Sequence, residues 1–198
     1  SNKENMKNEY VILDVEESAN QLGFYDSSTG VKIGSIQLSL WPHEIATDSK
    51  SKRAYVTNFG VRDYDLSIGY AGNSISIIDI ESMCEIDRLY TTDDDASINS
   101  WAPHGIKVSP DDKFLYVNVE RTEPTREASP HVKHGQEETI MLIFDLTTGK
   151  QVRQFNLPKY TLSNYATVSA DSDFNPLVNS FSLLPGTHNF VFSPDGKY

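Results

Sequence analysis

The chain has 198 residues, 38% of them apolar and 23% charged, and its 28 acidic side chains against 17 Lys and Arg give a formal net charge of -11. These are the proportions of a globular protein with a sizeable core, and the charge excludes a broad phosphate-binding surface, whose affinity depends on clustered Lys and Arg, so no nucleic-acid partner is expected. A single cysteine, Cys84, excludes an intrachain disulfide and a multi-cysteine zinc site, and no run approaches the roughly 18 apolar residues of a transmembrane segment.

Residues 1–9, SNKENMKNE, are polar and without periodicity, which fits a tag remnant or the tether behind a removed export signal or lipidated cysteine. The chain is accordingly expected to be exported, whether periplasmic, lipid-anchored or at the cell surface. A first strand is predicted over Tyr10 to Val15, and FYDSSTG from Phe24 then ends one strand and begins a turn. In the next stretch the runs His43 to Thr47, Ala54 to Phe59, Ser74 to Ile80 and Glu85 to Tyr90 are apolar and β-branched and bounded by turn residues. They read as four short strands.

The same stretch then recurs. PHEIATDSKSKRAYVTN from Pro42 is matched by PHGIKVSPDDKFLYVN from Pro103 and by THNFVFSPDGKY from Thr187, and His43 and His104 each precede a tyrosine, Tyr55 or Tyr116, by twelve positions. A second element alternates with it: FYDSSTG, IIDIESM from Ile77 and IFDLTTG from Ile143. Asp26, Asp79 and Asp145 are expected to end strands and accept backbone N–H bonds from the turn that follows. Gly30 and Gly149, four residues on, are expected at positive φ, whereas Met83 in that place predicts a different hairpin.

Four-stranded units repeated at this length describe an all-β β-propeller, in which blades pack sheet on sheet around a channel. AYVTN at Ala54, LYVN at Leu115, PHGIKVSPDDK and FSPDGK are similar to the YVTN-repeat family of β-propellers, over nearly all of 10–198. The resemblance implies a first blade over 10–40 lacking its first strand, full blades over 41–92 and 103–158, and the opening strand of a fourth over 187–198. A partial ring leaves faces and edges open. The expected partners are therefore the remaining blades of a longer chain, or a second copy that completes the ring.

Alternating strand direction places every long connection, 60–72, 91–102, 120–139 and 158–186, at one end of the units, the end at which binding groups on a rigid scaffold are expected. His43, His104 and His188 begin successive inner strands at that end, and His131 and His134 lie in an insertion there. Two readings follow for these five: ligation of a transition metal, or a structural lining of the channel in which each ring bonds a neighbouring backbone. Calcium is weighed at Asp63 with Asp65, at Asp93 to Asp95 and at Asp171 with Asp173, although none fits an EF-hand loop. Trp41, Tyr64, Tyr70, Trp101, Tyr160 and Tyr165 offer rings that stack on a sugar or cap the blades. No serine-nucleophile motif, glycine-rich phosphate loop, HExxH or CxxCH is present, so covalent haem is excluded.

These features predict a non-catalytic propeller that binds a small molecule, a glycan or a partner through loops on one face, with His43, His104, His188, Trp41, Trp101, Arg62 and Tyr64 as ligand-binding candidates and no cofactor firmly implied. PGTHNFVFSPDGKY also resembles the strand opening of phosphogluconolactonase-type propellers. That resemblance implies His188 as a substrate contact, Arg62, Arg121 or Arg126 as the binder of an anionic group, and Glu120 as base. Related propellers also form subunits of quinoprotein amine dehydrogenases and haem-binding oxidoreductases, which implies a redox alternative.

Overall fold

A computed structural model describes residues 10–60, 71–92, 100–122, 139–156, 160–161, 182–183 and 189–198. They form an all-β chain of meandering antiparallel sheets, each strand paired with its neighbours in sequence. The first sheet is β1 (Val11–Glu16), β2 (Gln21–Asp26) and β3 (Lys32–Gln37). The second is β4 (Pro42–Thr47), β5 (Arg53–Gly60), β6 (Ala71–Asp79) and β7 (Cys84–Tyr90). The third is β8 (Ser100–Val108), β9 (Phe114–Thr122), β10 (Thr139–Asp145) and β11 (Gln151–Asn156), while β12 (Tyr160–Thr161) and β13 (Ser182–Leu183) make a separate short ladder. The only helical turn among the described residues is a 3-10 turn over Glu17–Ala19.

The sheets stack face on face, and the period of two along each strand decides what goes into each interface. On β5, Ala54 and Val56 point to the first sheet and pack with Leu22, Phe24, Ile36, Leu38 and Ile78. The intervening Tyr55 points the other way, joining Ala46, Ile75 and Leu89 against Ile106, Leu115, Val117, Ile140 and Leu142 of the third sheet. β5 is thus covered on both faces, which is why its run is apolar at successive positions rather than alternate ones. Each fully buried aliphatic side chain contributes about 1.5–3 kcal/mol, so the two interfaces rather than any single sheet hold the chain together.

Polar bonds complete the stacking. The backbone N–H of Ser49, in the turn after β4, donates to Asp112 Oδ1 in the turn after β8 at 2.9 Å, and Arg88 Nη1 on β7 donates to Ser39 Oγ at 2.6 Å. Asn58 Nδ2 donates to Ser76 Oγ at 2.9 Å and Ser74 Oγ at 3.2 Å within the second sheet, while Asn58 Oδ1 is buried without a hydrogen-bond partner among the described residues.

Turn chemistry repeats closely. In Ser109-Pro110-Asp111-Asp112 the serine hydroxyl donates to Asp111 Oδ1 at 2.6 Å, and in Ser193-Pro194-Asp195-Gly196 the corresponding bond to Asp195 Oδ1 is also 2.6 Å. Lys113 N and Lys197 N each donate to the same aspartates at 3.1 Å. Asp26 Oδ1 accepts the N–H groups of Ser28 and Thr29, and Asp145 Oδ1 those of Thr147 and Thr148, as the strand-ending aspartates were expected to do.

Gly30 and Gly149 have φ of 70° and 71°, and Met83 corrects the expectation drawn for its hairpin by taking the same left-handed conformation at φ 53°. A non-glycine residue there costs roughly 1–2 kcal/mol. The offset is packing: Met83 lies against the first sheet's core, with its sulfur over Gly34, where a Cβ would stand 2.6 Å from Sδ.

Strand direction sorts the connections by end. Residues 27–31, 48–52, 80–83, 109–113 and 146–150 close tight turns at one end, whereas 61–70, 91–99 and 123–138 join strands at the other, together with the brief links 17–20 and 38–41. The end that carries the long connections is also the one where β4 and β8 begin.

Candidate functional site

Near that end each inner strand carries a bulge. Pro42 pairs with Asn58 and Ile45 with Val56, so His43 and Glu44 together oppose Thr57. Pro103 pairs with Val119 and Ile106 with Val117, so His104 and Gly105 together oppose Asn118. A bulge breaks strict alternation and re-aims the side chains it contains. Without it, neighbours such as His43 and Glu44 stand on opposite faces. With it, the ligating atoms of His43, Glu44 and His104 all lie within 4.8 Å of one another.

The rings of His43 and His104 meet edge to face, with centroids 4.1 Å apart at 85°. Phe59 of β5 closes one side, its centroid 5.1 Å from His104 and 5.5 Å from His43. His104 is buried at 2% exposure, whereas His43 and Glu44 are half-buried and reachable from solvent. From the first sheet, Glu17 in the 3-10 turn brings Oε2 to 3.9 Å from His43 Nδ1.

A buried hydroxyl fastens this group across the sheet interface. Thr57 Oγ1 accepts the backbone N–H of Glu44 at 3.0 Å and donates to the carbonyl oxygen of His104 at 2.9 Å. The bulge of the second sheet and that of the third are therefore held in register by one side chain. Two imidazoles and a carboxylate form a donor set of intermediate softness, suited to zinc, nickel, copper(II) or iron(II) rather than to calcium or magnesium.

Of the residues singled out from sequence, the structure brings His43 and His104 together. Trp41 lies on the link before β4 at φ 47°, its backbone N–H donating to Asn20 Oδ1 at 2.9 Å. Trp101 falls on β8 opposite Arg121, and Glu120 on β9 is paired with Ala102 and Thr139. His131, His134, His188, Arg62, Tyr64, Tyr70, Arg126 and Tyr165, and the acidic groups at 63–65, 93–95 and 171–173, lie outside the described residues. Cys84 is exposed at the start of β7, at the opposite end of the sheets from the histidines.

Glu44, Glu17 and Phe59 escaped the reading of the sequence. One signal was available for Glu44: a proline inside a strand, as at Pro42 and Pro103, is confined to edges and bulges, so Pro-His at the head of an inner strand marks a place where alternation fails.

No family model matches the chain, and no curated protein matches it. Among solved structures it is similar to the dihydro-heme d1 dehydrogenase NirN in complex with DHE, at 11% identity and a TM-score of 0.54 over 75% of this chain and 26% of that one. It is also similar to a functionally unknown protein from Desulfotomaculum acetoxidans DSM 771, at 13% identity and a TM-score of 0.51 over 75% of this chain and 39% of that one. The chain spans well under half the length of either structure. At these identities the likeness concerns the fold alone, and with the stacked antiparallel sheets it fits a β-propeller-like architecture.

Proposed function

We propose that the three sheets are blades of a YVTN-type β-propeller whose role is binding: a scaffold that presents the end carrying the long connections to a small molecule, a glycan or a partner. One observation carries this reading. Among the described residues every connection at one end is a tight turn, whereas the connections over 61–70, 91–99 and 123–138 all leave from the other. Elaboration confined to one end of a rigid array is the usual arrangement of binding loops.

The test is a glycan array probed with labelled chain, beside a variant in which 123–138 is replaced by a short Gly-Ser link. We expect defined glycans to be retained by the parent and lost by the variant, with thermal unfolding little changed. Equal retention by the two proteins, or no retained glycan, would refute glycan binding through this connection.

A further inference from the structure

We propose that His43, Glu44 and His104 form a binding site for one divalent transition-metal ion, of the class that takes mixed imidazole and carboxylate ligands. This goes beyond loop-mediated binding and is independent of it, since the donors lie on strands of the second and third sheets.

Geometry is the first support. Three donor atoms from β4 and β8 lie within 4.8 Å of one another. A tetrahedral ion with nitrogen and oxygen donors at about 2.0–2.2 Å holds them roughly 3.4 Å apart, so closing on an ion requires a movement of about 1 Å, which side-chain rotation supplies. Two of the three residues, His43 and Glu44, owe their convergence to the bulge opposite Thr57. The third sheet repeats that bulge with Gly105 in the place of Glu44, so the carboxylate belongs to one position and is not imposed by the repeat.

The surroundings fit an ion as well. Glu17 Oε2 lies 3.9 Å from His43 Nδ1, beyond hydrogen-bond distance, and adds a second carboxylate charge beside the donor set. Phe59 packs against both rings, which lowers the local dielectric and strengthens charge interactions inside the site. Thr57 fixes the two backbone segments that carry the donors, so little ordering is left for the ion to impose. Two imidazoles select against calcium and magnesium, and the lone thiol, Cys84, starts β7 at the far end of the sheet, which selects against copper(I). Three protein donors leave the fourth position of a tetrahedral ion to water or an exogenous ligand.

The competing account is that the two rings pack edge to face with no ion between them. Equilibrium dialysis of the 198-residue chain against Zn2+, read by elemental analysis, and titration with Co2+, read by its visible d–d absorption, separate the two. We expect one tightly held ion per chain, weakened roughly tenfold or more by Glu44→Gln and by His43→Gln. His131→Ala with His134→Ala removes the HxxH pair of the sequence as a competing site and is expected to leave the tight ion in place. His104→Ala should abolish binding; because His104 is buried and that variant can fail for lack of folding, the two half-buried positions carry the decision, with circular dichroism confirming their folds. No ion retained at micromolar free Zn2+, or an ion retained equally after Glu44→Gln and His43→Gln, overturns the proposal. Either result leaves the glycan experiment unaffected.

Discussion

Thr57→Val tests whether one buried hydroxyl couples the second and third sheets. The substitution preserves shape and β-propensity, so it changes little besides hydrogen bonding. Thr57 is fully buried and serves two backbone groups, accepting from Glu44 N–H at 3.0 Å and donating to the His104 carbonyl at 2.9 Å. Valine can do neither. A buried backbone group that loses its partner costs about 1–3 kcal/mol, and two are affected; the methyl that replaces the hydroxyl returns a fraction of this by burial. The expected net loss is about 2–3 kcal/mol. With a urea dependence of roughly 2 kcal/mol per molar, the unfolding midpoint falls by about 1 M with an unchanged slope. Urea unfolding followed by tryptophan fluorescence measures this directly. A midpoint within about 0.2 M of the parent would mean that water or rearranged backbone replaces the hydroxyl, and the claim that Thr57 locks the two bulges together would fall.

Gly72→Ala is expected to destabilise more than a surface glycine change, by about 3 kcal/mol, because its Cβ would sit on the carbonyl oxygen of Asn58, a backbone atom that cannot swing aside. Thermal melting several degrees below the parent is the expected result, and an unchanged melt would show that β5 and β6 are looser than drawn. Acid should weaken the fold in a defined window. Hydrogen bonds from Tyr25, Gln21 and Lys32 hold the Glu16 carboxyl at about 2 against an ordinary 4.5, and Ser28 and Ser82 with neighbouring backbone amides lower Asp26 and Asp79. Because these carboxyls bind protons less readily folded than unfolded, their contribution is complete above the ordinary carboxylate range and is lost as pH falls through the folded values. Urea midpoints should therefore be level near neutrality and decline from about pH 4.5 toward 2, less steeply in Glu16→Gln; midpoints that rise on acidification would contradict the sign.

Much of the β-structure was readable because each signal was local. The predicted runs from His43, Ala54, Ser74 and Glu85 correspond to β4 through β7 with ends displaced by at most three residues, since alternation and flanking turn residues mark a strand without reference to its neighbours. Glycine at 30 and 149 announced a left-handed backbone for the same reason. Met83 did not, because what holds it there is Gly34 of another sheet. The motif letters also mislead about register. AYVTN and LYVN look superposable through their asparagines, yet Tyr55 and Tyr116 occupy equivalent rungs and make Thr57, not Asn58, the counterpart of Asn118 opposite each bulge. Asn58 turns instead toward Ser74 and Ser76.

The candidate site was half readable for a related reason. A repeat shows which residues occupy like positions, and that placed His43 and His104 on successive inner strands. It does not show how far apart adjacent sheets stand or which way a bulged side chain points. Equally spaced histidines in a ring of sheets would ordinarily remain apart; the bulges and the stacking of β4 on β8 bring these two rings to 4.1 Å. Glu44 breaks the repeat, because Gly105 stands in the corresponding place, and a search for what recurs passes over such a residue. In a repeat protein the shared positions build the scaffold, so chemistry particular to one member is carried by residues that depart from the pattern at points where the scaffold has already bent the backbone. Glu44 meets both conditions, whereas Cys84, which also departs from the pattern, sits exposed at the end opposite His43 and His104. That contrast makes Glu44→Gln, rather than the loss of either histidine, the most informative substitution in this chain.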